Sequence, residues 1–91
     1  MKIIYDAVFV THMVKTVRYI AADSKHKADR FRRELEEHLS TLPHFPYKFR
    51  QSIHYDDTHI RDYVFKGYTI PYLIDTANDT IVVLDIFKWT Q

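Results

Sequence analysis

Residues 60–75 read IRDYVFKGYTIPYLID, from Ile60 to Asp75, and this stretch decides the fold. Bulky and polar side chains alternate from Ile60 to Phe65, which is the period of a half-buried strand. Only Lys66 and Gly67 separate this run from the next, Tyr68 to Asp75, and Gly takes the positive φ that a two-residue hairpin turn demands. The stretch therefore predicts two adjacent antiparallel strands. Pro71 cannot donate to a ladder and favours edges or bulges, so a bulge is expected there.

Working outward, the turn Thr76–Asp79 (TAND) leads into TIVVLDIFKW, Thr80 to Trp89, which is apolar on both faces as a central strand is. Upstream, Tyr47 to Tyr55 (YKFRQSIHY) also alternates and predicts a further strand, closed by the turn DDTH before Ile60. Between Ser24 and Leu42 the period changes. Ala28, Phe31, Leu35, Leu39 and Leu42 recur every three or four residues, one stripe of a helix that Ser24 can cap. Asp29 with Arg33, Arg30 with Glu34, Arg32 with Glu36 and Arg33 with Glu37 stand at i,i+4 on its outer face. Pro43 and Pro46 stop the helix at or before Leu42. An earlier helix, capped by Thr11 and ending near Asp23, follows from Met13, Val14, Val17, Ile20 and Ala21. Before it, Lys2 to Phe9 (KIIYDAVF) reads as a strand. The prediction is an α+β domain of order β-α-α-β-β-β-β, two N-terminal helices packed on a twisted antiparallel sheet.

Composition limits what such a domain can do. The 91 residues leave room for one core, residues 1–91, and 46% hydrophobic with 27% charged residues is a globular balance. A chain without Cys has no thiolate catalysis and no cysteine-based zinc site, and its single Gly rules out a glycine-rich phosphate loop. No apolar run approaches the roughly 20 residues that span a bilayer, and Asp6 interrupts the opening apolar run. A cytoplasmic protein is expected, with no cofactor. The net charge is +1, with eight Lys and Arg against six Asp and Glu in residues 1–47, and five against six in residues 48–91. A protein gripping nucleic acid through phosphates shows a stronger basic bias.

Several residues could carry chemistry. His54, Asp56, Asp57 and His59 bring metal-ligand types into one short segment, yet the same residues make a polar turn, which is the preferred reading. His12, His26, His38 and His44 have no common spacing and read mostly as surface residues. Asp85 sits among apolar neighbours, where a carboxylate needs a partner; an Arg or a backbone donor at the rim of the core is expected. Lys48, Arg50, Arg61, Lys66 and Lys88 interleave with aromatic residues, a pattern that stacks bases and holds phosphates, or that simply marks a half-solvated sheet.

The early strand, the helix motif from Ala28 to Pro43, and the pairing of Ile60-Arg61 and FKGY with the apolar last strand together resemble the RelE/ParE toxin superfamily of bacterial type II toxin–antitoxin systems. The resemblance covers nearly the whole chain. It implies a compact toxin neutralised by a cognate antitoxin, which would lay an amphipathic helix in an apolar groove or add a strand at a sheet edge, giving a hetero-oligomer. RelE-like members cut mRNA on the ribosome with basic residues of the sheet and a C-terminal Tyr or His; ParE-like members inhibit DNA gyrase. Where ribonuclease members carry an Arg after the GY pair, this chain has Thr69, and it offers no His or Tyr beyond Phe87. The resemblance thus favours a ParE-like gyrase inhibitor that is not an enzyme, with Arg61, Lys88 and Trp89 as contacts to target or partner. The alternative is a ribosome-dependent endoribonuclease built on Lys48, Arg50, Arg61 and Lys88. A second alternative is a non-toxic binding module.

Overall fold

The computed structural model describes residues 1–88. Strand β1 (Lys2–Tyr5) is followed by helices α1 (Ala7–Asp23) and α2 (Lys25–Leu39), a 3-10 turn at Leu42–His44, and strands β2 (Ile60–Phe65), β3 (Tyr68–Asp75), β4 (Thr80–Val83) and β5 (Phe87–Lys88). The order β-α-α-β-β-β-β holds, and the class is α+β. The sheet runs β1-β4-β3-β2, with β5 also pairing β3. Its β2, β3, β4 and β5 pairings are antiparallel, whereas β1 lies parallel to β4, with Ile3 opposite Ile81. Parallel pairing needs a long crossover, and the α1–α2 hairpin supplies part of it.

The first strand is half the expected length. Asp6, in extended geometry, accepts from the Val8 amide through Oδ1 at 2.8 Å and caps α1, so helix replaces strand from Ala7 and Thr11 lies inside it. Ser24 caps α2 as the sequence indicates, its Oγ accepting from the Lys27 amide. Ala28, Phe31, Leu35 and Leu39 are all buried, and Leu42 joins them from the 3-10 turn. Of the four expected i,i+4 pairs only Arg32–Glu36 closes among the described residues; Glu34 bonds Lys66 of the hairpin instead, at 2.6 Å.

The β2–β3 hairpin forms as the sequence predicts, with Ile60 opposite Leu73 and Phe65 opposite Tyr68. Lys66 and Gly67 both take positive φ, +50° and +84°, the geometry that lets a two-residue turn follow the strand twist. The segment 47–55 is not a strand. It touches the sheet through one bridge, Gln51 to Arg61, closed by Ser52 N–H to the Ile60 carbonyl and Asp62 N–H to the Arg50 carbonyl. Its alternation of aromatic and polar residues is met by side-chain contacts described below, not by a ladder.

Pro71 does not bulge its own strand. Leu84 donates to the Pro71 carbonyl at 2.9 Å, but Pro71 has no N–H to return the bond. Tyr72 pairs Val83 and Thr69 pairs Phe87, so two residues of β3 face three of the last strand, Leu84, Asp85 and Ile86. The extra residue lies opposite the proline, and it divides the expected last strand into β4 and β5. The β4 half is central, as expected, lying between β1 and β3.

Alternation along the strands defines two faces. Tyr63, Phe65, Tyr68, Ile70, Tyr72, Ile81 and Val83 pack with Phe31, Leu35 and Leu39 of α2 in one core. The opposite face carries Asp62, Thr69 and Phe87.

Candidate interaction surfaces

The segment after α2 is held to the sheet by side chains of β2 and β3. Tyr72, fully buried, donates its hydroxyl to the Pro46 carbonyl at 2.6 Å. Burial pushes that hydroxyl's pKa up to about 12, with Asp62 adding to the rise and Arg61 opposing it. Arg61 lays its guanidinium 4.8 Å from the centre of the Tyr47 ring and donates through Nη1 to the Phe49 carbonyl at 3.1 Å. The Tyr47 hydroxyl lies 3.0 Å from His59 Nδ1. These contacts explain the alternating pattern that reads as a strand.

Of the expected cationic residues, Lys48, Arg50 and Arg61 gather around Phe49, whereas Lys88 lies farther along the sheet. Arg61 is engaged with the backbone, and among the described residues its buried Nε has no partner. Arg50 reaches Asp62 Oδ2 at 3.6 Å; that carboxylate is buried and also accepts weakly from the Ile53 amide, at 3.4 Å. Lys48 extends over the Phe49 ring. Lys88 lies opposite Tyr68 and over its ring, four residues along β3 from the Tyr72 that faces Arg61, or about 13 Å at strand rise. Trp89 lies outside the described residues.

Thr69, the residue after the GY pair, is completely buried. It pairs Phe87 across β5, and the Phe87 ring meets His54 edge-on at 4.8 Å. Among the described residues its hydroxyl has no partner, nor has Asp62 Oδ1 on the same face. A side chain at position 69 therefore points into the protein.

The histidine-rich segment is spent on local structure. Asp57 Oδ1 accepts from the His59 amide at 2.8 Å, His54 meets the Phe87 ring edge-on, and His59 meets Tyr47. Among the described residues no group of three or more His, Cys, Asp and Glu could hold a metal ion. Two other histidines do more than the sequence suggests. His12 on α1 meets Asp85 at 2.6 Å, so the partner of Asp85 is a histidine together with the Ile86 amide, at 2.7 Å, and not an arginine. His38 meets the Tyr63 hydroxyl at 2.6 Å, and burial raises the pKa of that hydroxyl. For His38 the signal is position: it stands seven residues after Phe31, beside the apolar stripe.

Between β1, α1 and α2 lies an apolar groove of about 210 Å³, lined by Tyr5, Phe9, Val10, Met13, Val14, Leu35 and Leu39, with Glu36 as its one charged residue. Tyr5, Val10 and Val14 remain nearly half exposed. Among the described residues β1 pairs only β4, so its outer edge is open beside the groove. No helix of the described residues is long and apolar enough to cross a membrane.

No curated protein sequence matches the chain. Among solved structures, a chain titled as the chromosomal ParDE TA system from P. aeruginosa superposes with a TM-score of 0.77 at 12% identity, covering 99% of this chain and 97% of that one. At that identity the likeness is one of fold. The family model of the ParE toxin of type II toxin-antitoxin system, parDE, matches residues 3–90, and the chain therefore belongs to the ParE toxin family.

Proposed function

We propose that this type II toxin acts by binding a protein target, DNA gyrase, and that a ParD-like antitoxin neutralises it. The single observation that carries the choice of target is the burial of Thr69. In ribonuclease relatives the resemblance places an Arg at this position, where it would stabilise charge developing on a scissile phosphate. Here the side chain at 69 is buried beside Phe87, and two of the nearby cations are already engaged, Arg50 by Asp62 and Arg61 by Phe49 and Tyr47.

The apolar groove supports the antitoxin part of the reading. A helix laid along Tyr5, Val10 and Val14 would bury half-exposed apolar surface at roughly 25 cal/mol per Å². The toxin would act in the cytoplasm, where gyrase is.

The test uses purified toxin in two assays. Gyrase supercoiling should fall in proportion to added toxin and return on adding antitoxin, with translated mRNA intact. Cleavage of mRNA at the ribosomal A site with supercoiling unaffected would refute the proposal in favour of the endoribonuclease. Vigorous growth of cells making soluble, folded protein without antitoxin would favour the non-toxic binding module.

A further inference from the structure

The groove between β1, α1 and α2 is apolar except at one corner. Tyr5 and Phe9 stack there with ring centres 5.4 Å apart, Leu35 and Leu39 are fully buried, and Val10 and Val14, one turn apart on α1, stand half exposed. Among the described residues that line it, Glu36 alone is charged. Burial first, and then the Glu36 charge, raise the pKa of the Tyr5 hydroxyl, so carboxylate and hydroxyl share the same corner.

Within the described residues Glu36 pairs with Arg32, one turn earlier on α2. That contact is a single one, Nη1 to Oε1 at 3.4 Å, between side chains 52% and 58% exposed, and water screens it. A helix seated on Val10 and Val14 changes the balance. It takes the Glu36 carboxylate and the Tyr5 hydroxyl out of water, and a covered carboxylate without a strong donor opposes the apolar contacts around it. One long contact to one carboxylate oxygen does not meet that need. The donor has to come from the segment that covers the groove.

We propose that Glu36 selects the antitoxin: the segment that fills the groove carries a Lys or Arg that pairs with the Glu36 carboxylate while its apolar side chains pack on Tyr5, Val10 and Val14. An antitoxin with an apolar or acidic residue at that place leaves Glu36 covered and without a strong donor, and is discriminated against. The assignment rests on the reading above that an antitoxin occupies the groove.

The test measures, by calorimetry, the affinity of purified full-length toxin for its cognate antitoxin, in wild type, Glu36→Gln, Glu36→Arg, Arg32→Ala and Val14→Asp, with thermal midpoints as the control for folding. Glu36→Gln should weaken binding about 10-fold and flatten its dependence on salt, and Glu36→Arg should weaken it on the order of 100-fold, with midpoints unchanged. Arg32→Ala should bind at least as tightly as wild type, because it removes the internal competitor for Glu36. Changing one Lys or Arg of the antitoxin to Glu, each tried in turn, should restore affinity for Glu36→Arg. Wild-type affinity in both Glu36 variants would overturn the proposal, as would a Glu36→Arg defect that no such change relieves. Weakening by Arg32→Ala as large as that by Glu36→Gln would also overturn it, by making Arg32 the partner in the complex. Val14→Asp separates the proposal from the reading beneath it. If Val14→Asp weakens binding and the Glu36 variants do not, the groove holds the antitoxin but Glu36 does not select it. If all these variants bind as wild type does, the antitoxin sits elsewhere and both readings fail.

Discussion

His12 on the second turn of α1 and Asp85 in the bulge after β4 lie 2.6 Å apart, side chain to side chain across 73 residues of sequence. The contact exists because Pro71 gives no N–H to the last strand, which takes an extra residue there and carries Asp85 toward the helix. Asp85 Oδ1 also accepts from the Ile86 amide, so one carboxylate braces the bulge and ties it to α1.

Asp85→Ala should therefore cost stability, about 1–3 kcal/mol in urea unfolding, because it leaves the Ile86 donor and His12 without their acceptor. Growth arrest by the folded variant should be unchanged. A fully folded but non-toxic Asp85→Ala would contradict this structural role.

Tyr72 supplies an alkaline dependence. Its hydroxyl rises from 10.0 to about 12 on burial, so the folded state prefers the neutral form. The associated stability is complete below the unfolded value, 10.0, and is lost as pH rises through about 12. Two units correspond to roughly 3 kcal/mol. Tyr72→Phe should remove this dependence and cost about 1 kcal/mol at neutral pH through the unpaired Pro46 carbonyl. Unfolding followed from neutral pH up to that raised value measures both.

Position 69 gives a two-sided result. Thr69→Val replaces a buried hydroxyl without a partner by an apolar group of the same shape, and should be neutral or stabilising by about 0.5 kcal/mol. Thr69→Arg, which restores the cation of ribonuclease relatives, should destabilise by more than about 3 kcal/mol, since a charge would enter the interior under Phe87. Thermal midpoints of the two variants decide. An unaltered midpoint for Thr69→Arg would show that the position can face solvent.

The hairpin turn tolerates little. A methyl group on Gly67 would meet open space, but the φ of +84° strains any other residue, so Gly67→Ala should cost about 1 kcal/mol in unfolding free energy. The neighbouring Lys66–Glu34 bond, which lowers the pKa of Glu34, contributes above the usual carboxylate value of 4.5 and fades as pH falls through the lowered one. Glu34→Gln should flatten that part of the acid limb.

How much of the structure is legible in the sequence varies with the range of the interaction. The β2–β3 hairpin, the Ser24 cap and the stripe from Ala28 to Leu39 are local patterns, and all three stand in the structure. The start of α1 reads as strand because Val8 and Phe9 favour strands, but the Asp6 cap outweighs them. The segment 47–55 reads as strand because aromatic and cationic residues alternate there, but its Tyr47 and Phe49 rings meet Arg61 and Tyr63, which are distant in sequence. The parallel pairing of β1, the displacement of the bulge across from Pro71 and the His12–Asp85 contact are likewise tertiary facts. Of the expected cationic site, spacing supplies the residue types, but not that buried Asp62 and the Phe49 carbonyl engage Arg50 and Arg61.

Plasmid topology tests most directly whether this ParE-family toxin works, as proposed, on gyrase without cutting RNA. Plasmid recovered from cells soon after toxin induction, before growth has fully stopped, should have lost negative supercoiling or be cleaved, while induction together with antitoxin leaves it unchanged. Fully supercoiled plasmid in cells whose growth has arrested would contradict the account.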